Sequence, residues 1–308
     1  MKGTLLHLLL GALILGGVLW SIELDKVVLD LHRLDFYTLT SAAIALVGFH
    51  LLKGMRWRLI LQTQNIPYGF LDALKMYWSG LFIGTVTPGR LGELIRIVYL
   101  KQDGVRIGKG LVGVVADRLL DLGVLVVLLA SGIGWLGLGK GAAQLALLWK
   151  GGGGEGLRLG GRWLVAAQLR EALDTGRVDL AEGLVMLWAA RRKLVQIIAL
   201  TCVSWGLYIW ILKYMIEAVG LRFGLGQTVL FFAVAGIAAI IPISLAGIGT
   251  RDVMLVYLAR VVGQEGEVGL LFSYCVLWMH LLTALVGAVG WSQGRRLHQQ
   301  LQCGPINL

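Results

Sequence analysis

Charged side chains are scarce in this sequence, and that scarcity excludes a soluble domain. Only 15% of the 308 residues are Asp, Glu, Lys or Arg, whereas 57% are hydrophobic. A water-soluble domain of this length needs far more charge on its surface. The apolar runs are continuous, which favours helices over the alternating strands of a membrane barrel. The composition therefore predicts an all-α polytopic membrane protein.

Cysteine and histidine are also few, and their spacing excludes the usual disulfide and metal frameworks. The three cysteines and five histidines are scattered, with no Cys-x-x-Cys pair and no ligand-like histidine spacing. We therefore expect no metal and no cofactor. No Walker A sequence occurs, so ATP is not the expected energy source. No Ser–His–Asp grouping is evident, so no catalytic residue is assigned and an enzyme is not expected. His50 and His280 are interpreted as packed helix residues rather than proton relays.

Positive charge dominates, with a net charge of +10. The cations lie between apolar runs, where they set topology and meet anionic lipid, rather than on a soluble surface that would bind nucleic acid. Eighteen Lys and Arg residues fall in segments predicted to be cytoplasmic and four in segments predicted to be external. This bias places both termini on the cytoplasmic side of a bacterial inner membrane. Lys53, Arg56 and Arg58 are assigned to the cytoplasmic end of the second span.

The apolar runs predict about six full spans in a single transmembrane domain, residues 1–308. An uncleaved first span is favoured over a signal peptide, because no small-residue cleavage site follows it. The fourth span, residues 133–149, is included because the third span leaves the chain outside, whereas residues 150–193 are predicted to be cytoplasmic. The predicted spans are residues 5–20, 38–52, 110–131, 133–149, 194–219 and 268–291.

A less apolar stretch separates the two halves of the chain. The Gly-rich residues 151–156 read as a flexible linker. Residues 161–193 alternate apolar and basic positions, which is typical of an amphipathic helix on a membrane surface. We expect this helix to contact anionic phospholipid on the cytoplasmic leaflet. Association into oligomers stays possible.

Two apolar segments, residues 81–100 and 238–258, are interrupted by proline and glycine. Both resume as a helix ending in Val-Tyr-Leu. Flanking charges predict that the first enters from the cytoplasm and the second from outside, each returning to its own side. The halves 38–131 and 194–291 would then form an inverted repeat, a pattern that points to a transport site. The prolines and glycines at the breaks are interpreted as residues that interrupt the helix rather than as ligand contacts. They are Pro88, Gly89, Gly92, Pro242, Gly247 and Gly249.

Charged residues near the first break need a partner or a use, because a charge at bilayer depth costs at least about 2.5–3.5 kcal/mol. In a helix beginning near Gly89, Arg90, Glu93 and Arg96 would share one face. One guanidinium would then be in excess, and its planar fork suits a phosphate head group. A purely structural network is the alternative.

Further charges lie on the next span and after the second break. Asp117 and Asp121 are four residues apart, and an Arg118–Asp121 pair would leave Asp117 free for Arg90, Arg96 or a cationic ligand. Arg251 and Asp252 would open the half-helix after the second break. These groups are assigned to substrate binding around one central cavity. The alternatives are a structural role for Asp117, Arg118 and Asp121, and a position at the external surface for Arg251 and Asp252.

Three motifs resemble a known family. They are TPGRLGELIR at 87–96, ADRLLD at 116–121 and PISLAGIGTRD at 242–252. The chain resembles the transmembrane region of lysylphosphatidylglycerol synthases, a flippase-like domain. The resemblance implies a helical domain with paired re-entrant helices that moves lipids between leaflets. It marks the charged positions Arg90, Glu93, Arg96, Asp117, Arg118, Asp121 and Arg251.

Two departures from the family bear on function. The family often has Glu where this chain has Asp252, so the resemblance does not fix which group this shorter acid contacts. The soluble aminoacyl-transferase domain of full-length synthases is missing from this sequence, so lysine transfer is not expected. Our first hypothesis is translocation of a phospholipid or lipid-linked molecule. An ion-coupled small-solute transporter and a membrane-embedded lipid-modifying enzyme are the alternatives.

Overall fold

The computed structural model describes residues 35–137, 185–186, 189–240 and 249–293, and within them all regular structure is helical. The all-α class is therefore confirmed for this part of the chain. The described helices are α1 (Phe36–Thr63), α2 (Phe70–Val86), the 3₁₀ segment Pro88–Leu94, α3 (Ile95–Gln102), α4 (Ile107–Trp135), α5 (Arg191–Ala218), α6 (Leu225–Ile240), α7 (Thr250–Val261) and α8 (Gly266–Gln293).

The order of helix lengths repeats. α1 and α5 have 28 residues each, and α2 and α6 have 17 and 16. The short helices α3 and α7 have 8 and 12 residues, and the long helices α4 and α8 have 29 and 28. Each half thus consists of a long helix, a broken pair of shorter helices and a second long helix.

The contacts between helices repeat as well. α1 packs along α5, α2 packs against α8, and α6 packs against α4. Within each half, α3 packs on α4 and α7 packs on α8. Exchanging the two halves leaves this set of contacts unchanged. The halves therefore interlock, because each broken pair lies against the last helix of the other half.

Small residues bring the interlocking helices close. A Cβ atom at Gly132 of α4 would lie 2.9 Å from Cβ of Leu230 on α6. In the matching interface, a Cβ at Gly287 of α8 would lie 2.7 Å from the backbone nitrogen of Phe82 on α2. Lipid tails are as apolar as leucine, so close packing at such small residues drives helix association in a membrane.

Among the residues that the structure describes, three helices are long and apolar enough to cross a membrane: α1, α5 and residues Gly266–Trp291 of α8. A helix of 28 residues is about 42 Å long, which exceeds the roughly 30 Å hydrocarbon core. α4 is as long, but Asp117, Arg118 and Asp121 interrupt its apolar surface near the middle. These lengths and compositions are those of a helical membrane protein.

The predicted second span, residues 38–52, is too short. α1 runs on to Thr63, so Lys53, Arg56 and Arg58 lie inside a helix rather than after its end. The prediction failed because it treated three closely spaced bases as an interfacial boundary. The other described helices extend the predicted spans by a few residues at their ends.

Several predictions fall outside the described ranges. They are the first span at 5–20, most of the crossing at 133–149, the linker at 151–156, most of the amphipathic stretch at 161–193, the break residues Pro242 and Gly247, and both termini.

Candidate functional site

The two bases of α1 that were assigned to a membrane interface form buried ion pairs with α4. Lys53 and Arg56 are 2% and 0% exposed. Arg56 pairs with Asp117 and, at 2.8 Å, with Asp121. Lys53 pairs with Asp121 as well. The spacings of three residues on α1 and four on α4 place each pair of side chains on one helix face, so two bases meet two acids across the interface.

Glu93 and Arg96 join this cluster from the region of the first break. Arg96 pairs with Glu93 and, at 3.1 Å, with Asp117. Arg118 pairs with the same Glu93 carboxylate. Each of the three carboxylates therefore bridges two bases. We call this set the ion network: Lys53, Arg56, Glu93, Arg96, Asp117, Arg118 and Asp121.

Glycines on α2 leave room for the side chains that return from the break. A Cβ at Gly80 would lie 3.0 Å from Nε of Arg96, and one at Gly84 would lie 2.7 Å from Cγ of Glu93. The Arg96 guanidinium also lies over the Trp57 ring, 4.7 Å from its centroid. Cation–π contact of this kind stabilises a desolvated guanidinium by about 2 kcal/mol.

The second half contributes α5 to the ion network. Arg56 donates a hydrogen bond to Thr201 Oγ1 at 3.2 Å, and Trp205 Nε1 donates to Asp121 at 3.1 Å. The Trp205 ring also lies 4.4 Å from Lys53 Nζ. The network therefore joins α1, α4, α5 and the first break.

The ion network opens towards one side. The side chains of Arg56, Arg96 and Asp117 are at most 1% exposed, whereas Asp121 is 18% and Arg118 is 36% exposed. Three of the guanidinium groups keep a buried Nε without a hydrogen-bond partner, those of Arg56, Arg96 and Arg118. The deep members hold helices together, and the exposed edge at Arg118 and Asp121 is the part that a ligand can reach.

Arg90 stands apart from the network. It is half-buried and has a left-handed backbone with φ of 57°. Its guanidinium makes no ion pair with any residue in the described ranges. It lies within electrostatic range of Arg118, His50 and His280. Arg90 is therefore a positively charged side chain that none of the described carboxylates neutralises.

The second break has a smaller cluster at the start of α7. Arg251 and Asp252 are 1% and 3% exposed, and their side chains approach to 3.5 Å. Asp252 accepts a hydrogen bond from the Gly249 N–H at 2.8 Å, which caps the helix. Ser273 of α8 accepts from Arg251 Nε at 2.6 Å and donates to Asp252. This cluster is buried inside the protein.

The two histidines lie between the breaks. His50 of α1 is hydrogen-bonded to Thr283 Oγ1 of α8 at 3.1 Å, and its Nδ1 is buried without a partner. His280 bonds the Val276 carbonyl at 2.8 Å.

Two sequence-based details are wrong. Arg118 pairs with Glu93 rather than Asp121, because α4 turns Arg118 towards the break. The regular α-helix begins at Ile95 rather than near Gly89, and Arg90 and Glu93 precede it in the 3₁₀ segment Pro88–Leu94. Pro88, Gly89 and Gly92 instead lie in the 3₁₀ segment, where the Gly92 N–H donates to Thr87 Oγ1 at 2.7 Å.

Four contributors were missed by sequence reasoning. Lys53 and Arg56 could have been found, because Trp57 and Leu59–Leu61 continue the apolar pattern after them and argue for a longer helix. Thr201 and Trp205 of α5 give no such signal, since a threonine and a tryptophan are ordinary in a membrane span.

These features define a class: a helical membrane protein of two similarly ordered halves, each with a broken helix pair beside a buried cluster of charges. The chain belongs to the family described as the lysylphosphatidylglycerol synthase TM region, whose model matches residues 5–290. It is also similar to a UPF0104 membrane protein of Archaeoglobus fulgidus, with 28% identity over 92 residues. That match spans 30% of this chain and 28% of the relative's length. No solved structure matches the chain.

Proposed function

We propose that this protein translocates a lipid or lipid-linked molecule between membrane leaflets. The observation that carries the proposal is that each half contains a broken helix pair and that charged side chains are buried at both breaks. Ionisable groups inside a bilayer are costly and mark substrate or ion pathways. Broken helices at corresponding places of two repeats are where transporters bind their substrates.

In this proposal the broken pairs are re-entrant, enter from opposite sides of a bacterial inner membrane, and complete an inverted repeat. The head group is held between the breaks, and the acyl tails stay in lipid. The interlocked packing of α2 on α8 and α6 on α4 supports it, because movement of one half against the other would open the space between the breaks to alternate sides. Membrane lipids are the proposed partners, and the protein acts as a transporter rather than an enzyme.

The test is reconstitution of the purified protein into liposomes that contain a fluorescent phospholipid. Dithionite added outside reduces only dye in the outer leaflet, so additional loss of fluorescence measures lipid movement. We expect loss beyond that of protein-free liposomes. The Asp117→Asn variant, which removes the acid that links Arg56 to Arg96, should move less lipid than the wild type. Equal loss in protein-free, wild-type and variant liposomes, across phospholipids of different head groups, would contradict the proposal.

Ion-coupled transport of a small solute is the second candidate. Lys53, Asp121 and the buried His50 favour it, since ionisable groups of this kind can exchange protons along a pathway. Uptake of solute that depends on a proton gradient, without lipid movement in the liposome assay, would select this function.

A further inference from the structure

The ion network contains more bases than acids. Within the described ranges its four bases meet three carboxylates, and each carboxylate already bridges two bases. An uncompensated charge in a medium of low dielectric constant is costly. An added anion, or the loss of a proton by one base, would remove the excess. A guanidinium keeps its proton in proteins, whereas a buried ammonium can release it, so Lys53 is the base that can restore the balance.

Lys53 is held by less negative charge than its neighbour Arg56. Its ammonium is buried, and within the described ranges it pairs with one carboxylate, that of Asp121. The rings of Trp205 and Phe49 lie next to it, with centroids 4.4 and 5.5 Å from Nζ. Aromatic faces attract a cation but do not take up its proton. Among the described residues, Asp121 is therefore the group to which Lys53 can pass a proton.

The Asp121 carboxylate can stay ionised when Lys53 is neutral. Three donors converge on its Oδ1 atom: Lys53 Nζ, Arg56 Nη1 at 2.8 Å and Trp205 Nε1 at 3.1 Å. After Lys53 loses its proton, Arg56 and Trp205 still donate to Oδ1, and three guanidinium groups then meet three carboxylates. The Oδ2 atom accepts no hydrogen bond from the described residues, and the Asp121 side chain is 18% exposed. Asp121 thus connects the buried Lys53 with the accessible edge of the ion network.

Other ionisable groups lie around Lys53, and His50 is its main rival. Arg56 and Arg118 keep their protons, and Asp117 is held by two guanidinium groups. His50 lies one turn before Lys53 on α1, and its buried Nδ1 has no partner among the described residues. The ionisable groups that the surrounding helices and the first break bring to this region are His50, Arg56, Tyr77, Glu93, Arg96, Asp117, Arg118, Asp121, Tyr208 and His280.

We propose that Lys53 is a proton-binding site through which a proton gradient drives transport. This assignment rests on the proposed translocation. In each cycle Lys53 Nζ passes one proton to Oδ1 of Asp121, and the carboxyl group passes a proton to water at the exposed edge. A neutral amine and an ionised carboxylate remain, and the reverse steps reload Lys53 after the protein has opened to the other side. The ammonium lies over Trp205 of the second half, so its charge changes the contact between the halves.

The first test measures proton release by the purified full chain in uncharged detergent, which requires no transport. In potentiometric titration from mildly acidic to mildly alkaline pH, the wild type should release one proton more per chain than Lys53→Met or Lys53→Arg. Lys53→Met leaves Asp121 paired with Arg56, and Lys53→Arg keeps the positive charge, so either variant serves if the other does not fold. The matched control Lys101→Met, exposed in the last turn of α3, should match the wild type.

Equal proton release from the wild type and the Lys53 variants would overturn the proposal, because Lys53 would then keep its proton throughout. In that case, a smaller release from His50→Gln would assign the proton to the histidine.

The second test places the same proteins in the fluorescent-lipid liposomes with a pH difference across the membrane. We expect one orientation of the gradient to speed lipid movement by the wild type at least tenfold, and the Lys53 variants not to respond. Lipid movement that ignores the gradient, or that responds equally in the Lys53 variants, overturns the coupling. Release of the extra proton by a protein that moves no lipid supports the proton site and overturns the translocation alone.

Discussion

At the scale of single residues, the sequence predicted some of the ion pairs and missed others. The pairing of Glu93 with Arg96 was expected and is confirmed. Spacing along one helix favoured pairs such as Arg118 with Asp121, whereas the structure joins residues from different helices, such as Arg56 with Asp117. Pairing across helices depends on how the helices pack, and that information is absent from local spacing. One of the two guanidinium groups of Arg90 and Arg96 was expected to be in excess, and within the described ranges Arg90 makes no ion pair.

The first prediction concerns Asp117, whose carboxylate holds both Arg56 and Arg96. Asp117→Asn keeps the shape but removes the charge, which leaves two buried guanidinium groups short of an acid. We expect a loss of about 3–5 kcal/mol in the free energy of unfolding, measured by denaturation in detergent. The matched control Asp72→Asn, at an exposed site in the first turn of α2, should cost less than about 1 kcal/mol. Equal losses in the two variants would contradict a buried network.

The second prediction concerns the backbone of Arg90, with φ of 57°. A left-handed conformation costs a residue with a side chain about 1–2 kcal/mol, and glycine avoids that cost. Arg90→Gly should therefore raise the melting temperature. Arg222→Gly, which removes the same side chain where φ is not positive, should give no such rise. A lower melting temperature for Arg90→Gly would show that the Arg90 side chain stabilises the fold.

At the scale of elements, composition and periodicity predicted the helices, and the end of one helix, α1, was placed too early. α5 and α8 lie within a few residues of the predicted spans, because their apolar runs are uninterrupted. The second span was ended at Leu52, because the bases that follow were taken to mark its cytoplasmic end. In the structure the helix continues, and Lys53 pairs with Asp121 of α4, a partner 68 residues away.

The third prediction concerns Gly84 of α2, against which the first break folds back. Gly84→Ala would place a methyl group 2.7 Å from Cγ of Glu93, and we expect a loss of about 1–3 kcal/mol in stability. Gly123→Ala on α4 is the matched control, because no heavy atom lies within 4 Å of its added Cβ. This control should gain up to about 1 kcal/mol from helix propensity. Thermal denaturation of both variants checks the sign, and a stabilised Gly84→Ala would refute the close contact.

At the scale of the whole molecule, the sequence pointed to two halves, and the structure repeats the same order of helix lengths in each. The interlocking contacts, α2 with α8 and α6 with α4, could not be predicted, because no single apolar face shows which partner covers it. The account depends on the two broken pairs returning to opposite sides of the membrane with their charges between them.

The fourth prediction tests that arrangement by labelling single cysteines from each side of the membrane, after Cys202, Cys275 and Cys303 have been replaced by serine. Cysteines at Asp72 and Gln102, exposed near the two ends of the first broken pair, should both react with a membrane-impermeant maleimide only from the cytoplasmic side. Cysteines at Leu225 and Arg260, exposed near the ends of the second pair, should both react only from outside. Labelling of Asp72 and Gln102 from opposite sides, or of all four positions from one side, would contradict the account.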